Sequence, residues 1–269
     1  MIESVLLELE NWCRLLPAEG LEVDNILSGS SYYRKTNFQT PLADLSYYLC
    51  ILGSGASGFA YFNGKPAPHN QLISVVDKPA IDLMRRDLDW PLRVALIDAV
   101  CEEYNKYHKI EPSDKSGKRG TYQEKANYRS KITTDHVRTG KKVVVVGLVT
   151  EFVRELLEKK CEVSISDLSP ELRGKKIHGL SVNTQGNKRT LELIADADYA
   201  IVSGATLSSN TVDSILETAK KYNTHLCFYL ETGGNLAPFL LKAGAKLVIA
   251  EKFPFYDLPG ETIYEVHRA

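Results

Sequence analysis

The residues whose types and spacing could support chemistry lie in the second half of this 269-residue chain, at the ends of short apolar runs. Asp167 stands about 20 residues after Gly147 and closes such a run. An acid in that place accepts hydrogen bonds from ribose hydroxyls. Gly147 stands alone before Leu148-Val149-Thr150, whereas a pyrophosphate-binding turn needs several glycines so that backbone can approach the phosphates. A nucleoside-type ligand without a pyrophosphate, S-adenosylmethionine in its sharpest form, fits this pattern better than a nicotinamide dinucleotide. Asp167, or Ser169 ahead of Pro170-Glu171, also suits a turn or helix start, and both readings stay open.

The segment Ser203-Gly204-Ala205-Thr206-Leu207-Ser208-Ser209-Asn210-Thr211 is dense in hydroxyls and precedes a helical pattern. Its N–H groups and the positive helix end favour a carboxylate or other anion; a polar, capped loop is the alternative. Glu231-Thr232-Gly233-Gly234-Asn235 sets a carboxylate beside a Gly pair. Glu231 can serve as a general base or hold a substrate amine, and a structural salt bridge fits equally. The candidate catalytic residues are thus Glu231 and Asp167. The candidate cofactor-binding residues are Gly147, Asp167, Gly204, Thr206 and Ser209. The six histidines show no metal-ligand spacing, and the five cysteines, Cys13, Cys50, Cys101, Cys161 and Cys227, form no C-x-x-C pair. A protein-bound metal is not expected. No G-x-S-x-G elbow supports a hydrolase triad.

These residues need a scaffold, and the hydrophobic pattern supplies one. Val143-Val144-Val145-Val146 reads as a strand buried on both faces. Strands at Glu162–Ser166, Tyr199–Val202, His225–Leu230 and Lys246–Ala250 alternate with helices at Glu151–Lys160 and Thr211–Tyr222. The alternation predicts a doubly wound, Rossmann-like domain over 141–269. The first part differs. Val5, Leu9, Trp12 and Leu16 repeat at helical spacing until Pro17 and Gly20. Short aromatic runs bounded by Gly and Ser then predict a small antiparallel sheet between Glu22 and about Lys65, with Asn63-Gly64 as a hairpin turn. Pro79 and Pro91 open two helices, the second with an apolar stripe of Leu92, Leu96, Ala99, Val100 and Tyr104. Residues 1–108 are therefore expected to form an α+β domain. The stretches Ser28–Thr36 and Gly53–Gly58 fit turns between strands or loops over a site.

With 43% hydrophobic and 25% charged residues the composition is that of an ordinary globular protein. No apolar run is long enough to span a bilayer, and the start lacks a secretory pattern. A cytoplasmic protein with buried thiols, and without nucleic-acid or membrane partners, is expected; a homo-oligomer fits. The formal charge of −1 is unevenly spread. From Lys109 to Lys142 ten Lys/Arg face four Asp/Glu, an excess of six. Residues 109–140 read as a basic linker or a lid over an anionic ligand, in which Tyr122–Ile132 can form a short basic helix.

Ser203-Gly204-Ala205-Thr206-Leu207 and Thr211-Val212-Asp213 resemble the strand-end Gly-Thr-Thr-Leu, the Asn-Gly-Thr and the following helix of the proposed heavy-metal-chelation family. Asp167-Leu168-Ser169-Pro170 resembles its acid-x-x-Pro, and Pro238 and Gly244 also fit. Ser209 stands where the family has Asn, and Leu230-Glu231-Thr232 replaces a Gly-Pro-Ser/Thr-like turn. The resemblance implies an enolase-N-terminal-like domain ahead of a Rossmann-like one and a small-molecule site between them. It also implies handling of a metal chelator, pterin-like compound or siderophore. The expected function is an enzyme acting on a small polar metabolite. It would use S-adenosylmethionine for aminocarboxypropyl transfer, cyclisation or methyl transfer. The alternative is a non-catalytic protein that binds or senses a metal–chelator complex.

Overall fold

The computed structural model describes residues 1–15, 20–34 and 42–269. Leu16 and Pro17 of the first helical pattern, and Lys35-Thr36, lie outside the described residues. The chain divides into two compact units. One comprises Met1–Glu111 with Leu207–Asn210 and Thr232–Phe239; the other comprises Pro112–Thr206, Thr211–Glu231 and Leu240–Ala269. Two short segments of the expected Rossmann-like half thus belong to the first unit.

In the first unit, α1 (Ile2–Cys13) buries Val5, Leu6, Leu9, Trp12 and Cys13, the stripe predicted by their spacing. Three antiparallel strands follow in the order β1 (Val23–Arg34), β2 (Leu42–Leu52) and β3 (Ser57–Asn63). The hairpin between β2 and β3 turns at Gly53–Ala56, where the Leu52 N–H donates to the Ala56 carbonyl at 2.8 Å. Asn63-Gly64 does not make a hairpin: β3 ends there and helices follow. These are α2 (His69–Ile73), α3 (Ala80–Leu83) and α4 (Trp90–Tyr107).

Helix α4 packs on β3 as closely as backbone allows. A Cβ at Gly58 would overlap the Ala95 carbonyl and the Ala99 nitrogen, so glycine is required there by packing. One turn along, Asp98 is 2% exposed. Its carboxylate accepts the Phe59 N–H at 2.9 Å and the Asn235 N–H at 2.8 Å. Asn235 donates in turn to the Ser57 carbonyl at 3.0 Å and the Asp98 carbonyl at 3.2 Å. A buried carboxylate needs such donors to offset its lost hydration.

The second unit is built on one nine-stranded sheet. From here the elements in chain order are β4 (Asp114–Lys118), α5 (Tyr122–Thr134), β5 (Lys142–Val146), α6 (Thr150–Glu158), β6 (Glu162–Ser166), β7 (Lys176–Ile177), β8 (Leu180–Asn183), α7 (Asn187–Asp196), β9 (Tyr199–Ser203), α8 (Ala205–Ser208), α9 (Val212–Tyr222), β10 (His225–Leu230), α10 (Ala237–Lys242), β11 (Leu247–Lys252) and β12 (Thr262–Arg268), with α8 and α10 each divided between the two units. Strand order is β4-β12-β11-β10-β9-β5-β6-β8-β7. The six strands from β8 to β11 are mutually parallel; β12 and β4 on one edge and β7 on the other run antiparallel. Val143, Val144, Val145 and Val146 are all buried, as a centre strand covered on both faces demands.

Residues 109–140 carry regular structure of their own. Asp114–Lys118 pairs with β12 as an edge strand. Helix α5 starts at a complete capping box, with Thr121 and Glu124 each bonding the other's backbone N–H. It buries Lys125, Ala126, Arg129, Ser130, Thr133 and Thr134. The short basic helix read over Tyr122–Ile132 is thus present and runs to Thr134; its burial was hidden because its inward face is itself polar. The basic excess goes to structural partners. Lys125 Nζ donates to the Leu258 carbonyl at 2.5 Å and to Thr262 Oγ1 at 3.3 Å, Lys115 pairs with Glu265 at 3.1 Å, and Arg129 pairs with two glutamates.

Candidate functional site

When the six parallel strands are numbered along the chain, their spatial order is 3-2-1-4-5-6. The order reverses between β5 and β9, and in open parallel sheets ligands bind beyond the carboxyl ends of the strands at such a reversal. Gly147 closes β5 there with φ of 80°, a left-handed conformation that glycine adopts without Cβ strain. A Cβ at this position would overlap Ser203 Oγ at the end of β9. Ser203 Oγ is buried without a hydrogen-bond partner among the described residues. Gly204, also buried, donates its N–H to the Tyr229 carbonyl at 2.9 Å.

Asp167 follows β6. One carboxylate oxygen accepts the Leu148 N–H at 2.7 Å and the other the Ser169 N–H at 2.8 Å. The turn expectation for this residue is seen directly: it bonds the turns after β5 and β6, on the carboxyl edge. A carboxylate offers about four acceptor positions, so half-buried Asp167 keeps capacity for ligand hydroxyls. The Asp167 N–H donates to the Asn183 carbonyl at 3.0 Å. On that side a cavity of about 380 Å³ is lined by Arg173, Gly174, Val182, Asn183, Thr184 and Gln185. This volume falls within the range of small-molecule pockets.

Part of the hydroxyl-rich segment is engaged locally. Ala205–Ser208 coils into the single turn α8, and buried Thr206 donates its hydroxyl to the Ser203 carbonyl at 2.9 Å. Neither Ser209 nor Asn210 caps the next helix; Thr211 stands at its N-cap. Ser209 is exposed and belongs to the first unit. The Gly pair after Glu231 is fixed as well. Within the first unit the Gly233 N–H donates to the Phe59 carbonyl at 3.0 Å, and Thr232 Oγ1 accepts the Tyr61 N–H at 2.9 Å.

Glu231 and Asp167 do not meet as an acid/base pair. They close β10 and β6, three strand steps apart, a separation of about 14 Å at the usual strand spacing. Glu231 instead joins a cluster around Arg129, whose side chain is 4% exposed. Arg129 Nη1 lies 3.1 Å from Glu231 Oε1, and Nη2 lies 3.5 Å from Glu151 Oε2. The guanidinium rests 3.4 Å from the centre of the Tyr256 ring, with Tyr229 at 5.5 Å and Phe152 at 5.9 Å. Tyr229 donates its hydroxyl to Glu251, which is 1% exposed and also accepts the Tyr256 N–H. Burial, with Glu151 and Glu231 reinforcing it against Arg129, pushes the Tyr122 hydroxyl up to about 12.

Glu151, Tyr229 and Tyr256 escaped the sequence reading, and Arg129 was legible only as one of the basic residues of 109–140. Their pairing reaches from Arg129 to Tyr256 along the chain and has no local signature. Among the described residues no group of three or more His, Cys, Asp or Glu is arranged to hold a metal ion. All five thiols are free and buried. Burial pushes Cys13 up to about 11 and Cys50 up to about 12, so these thiols stay protonated at neutral pH.

The molecule is an α/β protein with a large, mostly parallel sheet and a polar carboxyl edge. Residues 131–227 match the family model described as "Putative heavy-metal chelation" (DUF364). A structure of a DUF364-family protein of unknown function from Desulfitobacterium hafniense matches with a TM-score of 0.64 at 15% identity, covering 98% of both chains. A second, from Pyrococcus horikoshii, matches with a TM-score of 0.58 at 16% identity, covering 98% of this chain and 100% of that one. The family resemblance read from the sequence is thereby shown, and the fold is shared along the whole chain. No curated protein sequence matches the chain. Among the described residues no helix is long and apolar enough to cross a membrane.

Proposed function

We propose that this chain binds a small polar metabolite of metal-chelator chemistry on the carboxyl edge of β6, β5 and β9. The observation that carries this reading is the reversal of strand order at Gly147 and Ser203, with Asp167 one strand away. On this reading the second unit acts as a Rossmann-like domain. The antiparallel meander and helices of the first unit support its assignment to the enolase-N-terminal-like class. Asp167, Gly147 and Gly204 line the ligand edge, whereas Thr206 shapes it through the Ser203 carbonyl.

Binding is favoured over acid–base catalysis by Asp167 and Glu231, because two groups about 14 Å apart cannot serve one reacting atom. Glu231, tied to Arg129, is a structural ion pair on this reading. The second reading is a transferase in metallophore or siderophore biosynthesis that uses S-adenosylmethionine. It is favoured by the acceptor positions left on Asp167, which suit a ribose diol, and by a turn with no room for a pyrophosphate loop. S-adenosylmethionine would supply the methyl or aminocarboxypropyl group; Asp167 would orient the ribose. Calorimetry of the full chain with S-adenosylmethionine and its thioether product tests this version. No heat up to millimolar concentration removes it. Mass spectrometry of small molecules retained on the purified protein tests the broader proposal. A retained metal–chelator complex supports binding, and a protein that purifies empty and takes up no chelator refutes it.

A further inference from the structure

The cavity beside Asp167 is a second feature of the carboxyl edge, and nothing above assigns it a ligand. Its lining is mixed: Arg173, Asn183, Thr184 and Gln185 stand beside Gly174 and Val182. The amide of Asn183 is committed, since Nδ2 donates to Ser166 Oγ at 3.1 Å and Oδ1 accepts the Gln185 N–H at 3.2 Å. Behind it Ser166 Oγ and Thr190 Oγ1 lie 2.7 Å apart in the core, so this wall is rigid. Arg173 is exposed at the cavity and forms no ion pair among the described residues. The surrounding chain is basic: from Glu171 to Arg189 there are five Lys/Arg and one Asp/Glu. The ten-residue helix α7 starts two residues after Gln185, with no side-chain cap and no acid in its first turn.

We propose that this cavity is a phosphate subsite, and that the ligand carries a phosphate monoester at the end nearest Arg173. The inference rests on the reading of the carboxyl edge as the ligand site and names the ligand's chemistry there. A guanidinium presents a fork of N–H donors that matches tetrahedral oxyanions. The N-terminus of α7, two residues along the chain from Gln185, carries the positive end of a helix with no acid in its first turn to offset it. Asp167 does not oppose the anion at full strength, because the Leu148 and Ser169 N–H groups already offset its charge. A ribosyl ligand held at Asp167 would place a 2′- or 3′-phosphate toward the cavity, since Asn183 bonds the Asp167 backbone.

The test is calorimetry on the full chain with adenosine, adenosine 2′-monophosphate, adenosine 3′-monophosphate and inorganic phosphate. One phosphorylated nucleoside should bind at least about tenfold more tightly than adenosine. Arg173→Gln should remove that gain and leave adenosine binding unchanged, and Arg173→Lys should restore part of it. The gain should shrink as salt is raised. Equal affinity for adenosine and its phosphates overturns the subsite while leaving the ribosyl reading intact. A gain that survives Arg173→Gln overturns it as well. Phosphate binding that depends on Arg173, with no binding of adenosine, upholds the subsite and removes the ribosyl reading. No binding of any probe up to 10 mM, taken as about the weakest affinity of a formed site, overturns both.

Discussion

Replacing His136 by Phe should remove about 2–3 kcal/mol of the protein's loss of stability between neutral pH and about pH 4. His136 follows α5 and stacks on His225, ring centroids 5.5 Å apart at 30°, with Tyr199 at 5.9 Å. Both ring nitrogens are buried without a well-formed hydrogen bond. Burial is the main force that lowers its pKa; the charges of His225, Lys159 and Arg268 act the same way, and the Thr133 backbone offsets them only in part. The result is a pKa of about 4 in the folded protein, against about 6.5 for imidazole in an unfolded chain. Between these values the unfolded state holds more protons than the folded state, so stability rises with pH. It is lost as pH falls from about 6.5 to about 4, and the cost levels off below. A gap of about 2.5 units at about 1.4 kcal/mol each amounts to about 3 kcal/mol. Phe keeps the ring stack and cannot be protonated. Urea unfolding of both proteins at several pH values between 4 and 7.5 measures the effect, since carboxylate contributions cancel in the difference. The variant should gain about 2–3 kcal/mol on wild type as pH falls across this range. Parallel stability curves would refute the reasoning, as would an NMR titration placing His136 at or above 6.5.

Arg129→Met should destabilise the fold by about 3–5 kcal/mol, because Glu231 and Glu151 are left without their cation. Adding Glu231→Gln to that variant should recover at least about 1 kcal/mol, and urea unfolding of the single and double variants checks both statements. Asp98→Ala should cost about 2–5 kcal/mol, since it orphans the buried Phe59 and Asn235 N–H groups; equilibrium unfolding reads it directly. Gly147→Ala should cost about 1–3 kcal/mol through its positive φ and its overlap with Ser203 Oγ. Ser203→Gly in the same chain should restore part of that loss, and a thermal melt of the pair against each single variant decides it.

The parts of the fold that were legible in the sequence are those whose partners are water and oil. Val143–Val146 marks the centre of a sheet because four β-branched residues can be buried together only there. The apolar stripes of α1 and α4 are read the same way, from spacing alone. Helix α5 shows where this logic stops. Its buried face is Lys125, Arg129, Ser130, Thr133 and Thr134, which by hydropathy belongs in solvent. Burying such residues is tolerable only when specific partners wait for them: the Leu258 carbonyl for Lys125, and Glu231 and Glu151 for Arg129. Those partners lie on other elements, so no window of sequence contains both halves of the argument.

The same limit shaped the reading of the site. Asp167 was legible because its place at a strand end follows from periodicity, and its local bonds to Leu148 and Ser169 come with that place. Glu231 was legible as a strand-end carboxylate but not as one arm of an ion pair. Its role depends on a cation 102 residues earlier, in a stretch whose charge looked surplus. Gly233 and Gly234 read as a flexible pair because glycine is flexible in isolation. In the fold the Gly233 N–H and Thr232 Oγ1 are both engaged along β3, and Asp98 holds Asn235. A glycine pair therefore marks freedom only until its neighbours' hydrogen bonds are counted. Here that count turns an apparently flexible loop into part of the first unit, which is why the proposed ligand edge is confined to β6, β5 and β9.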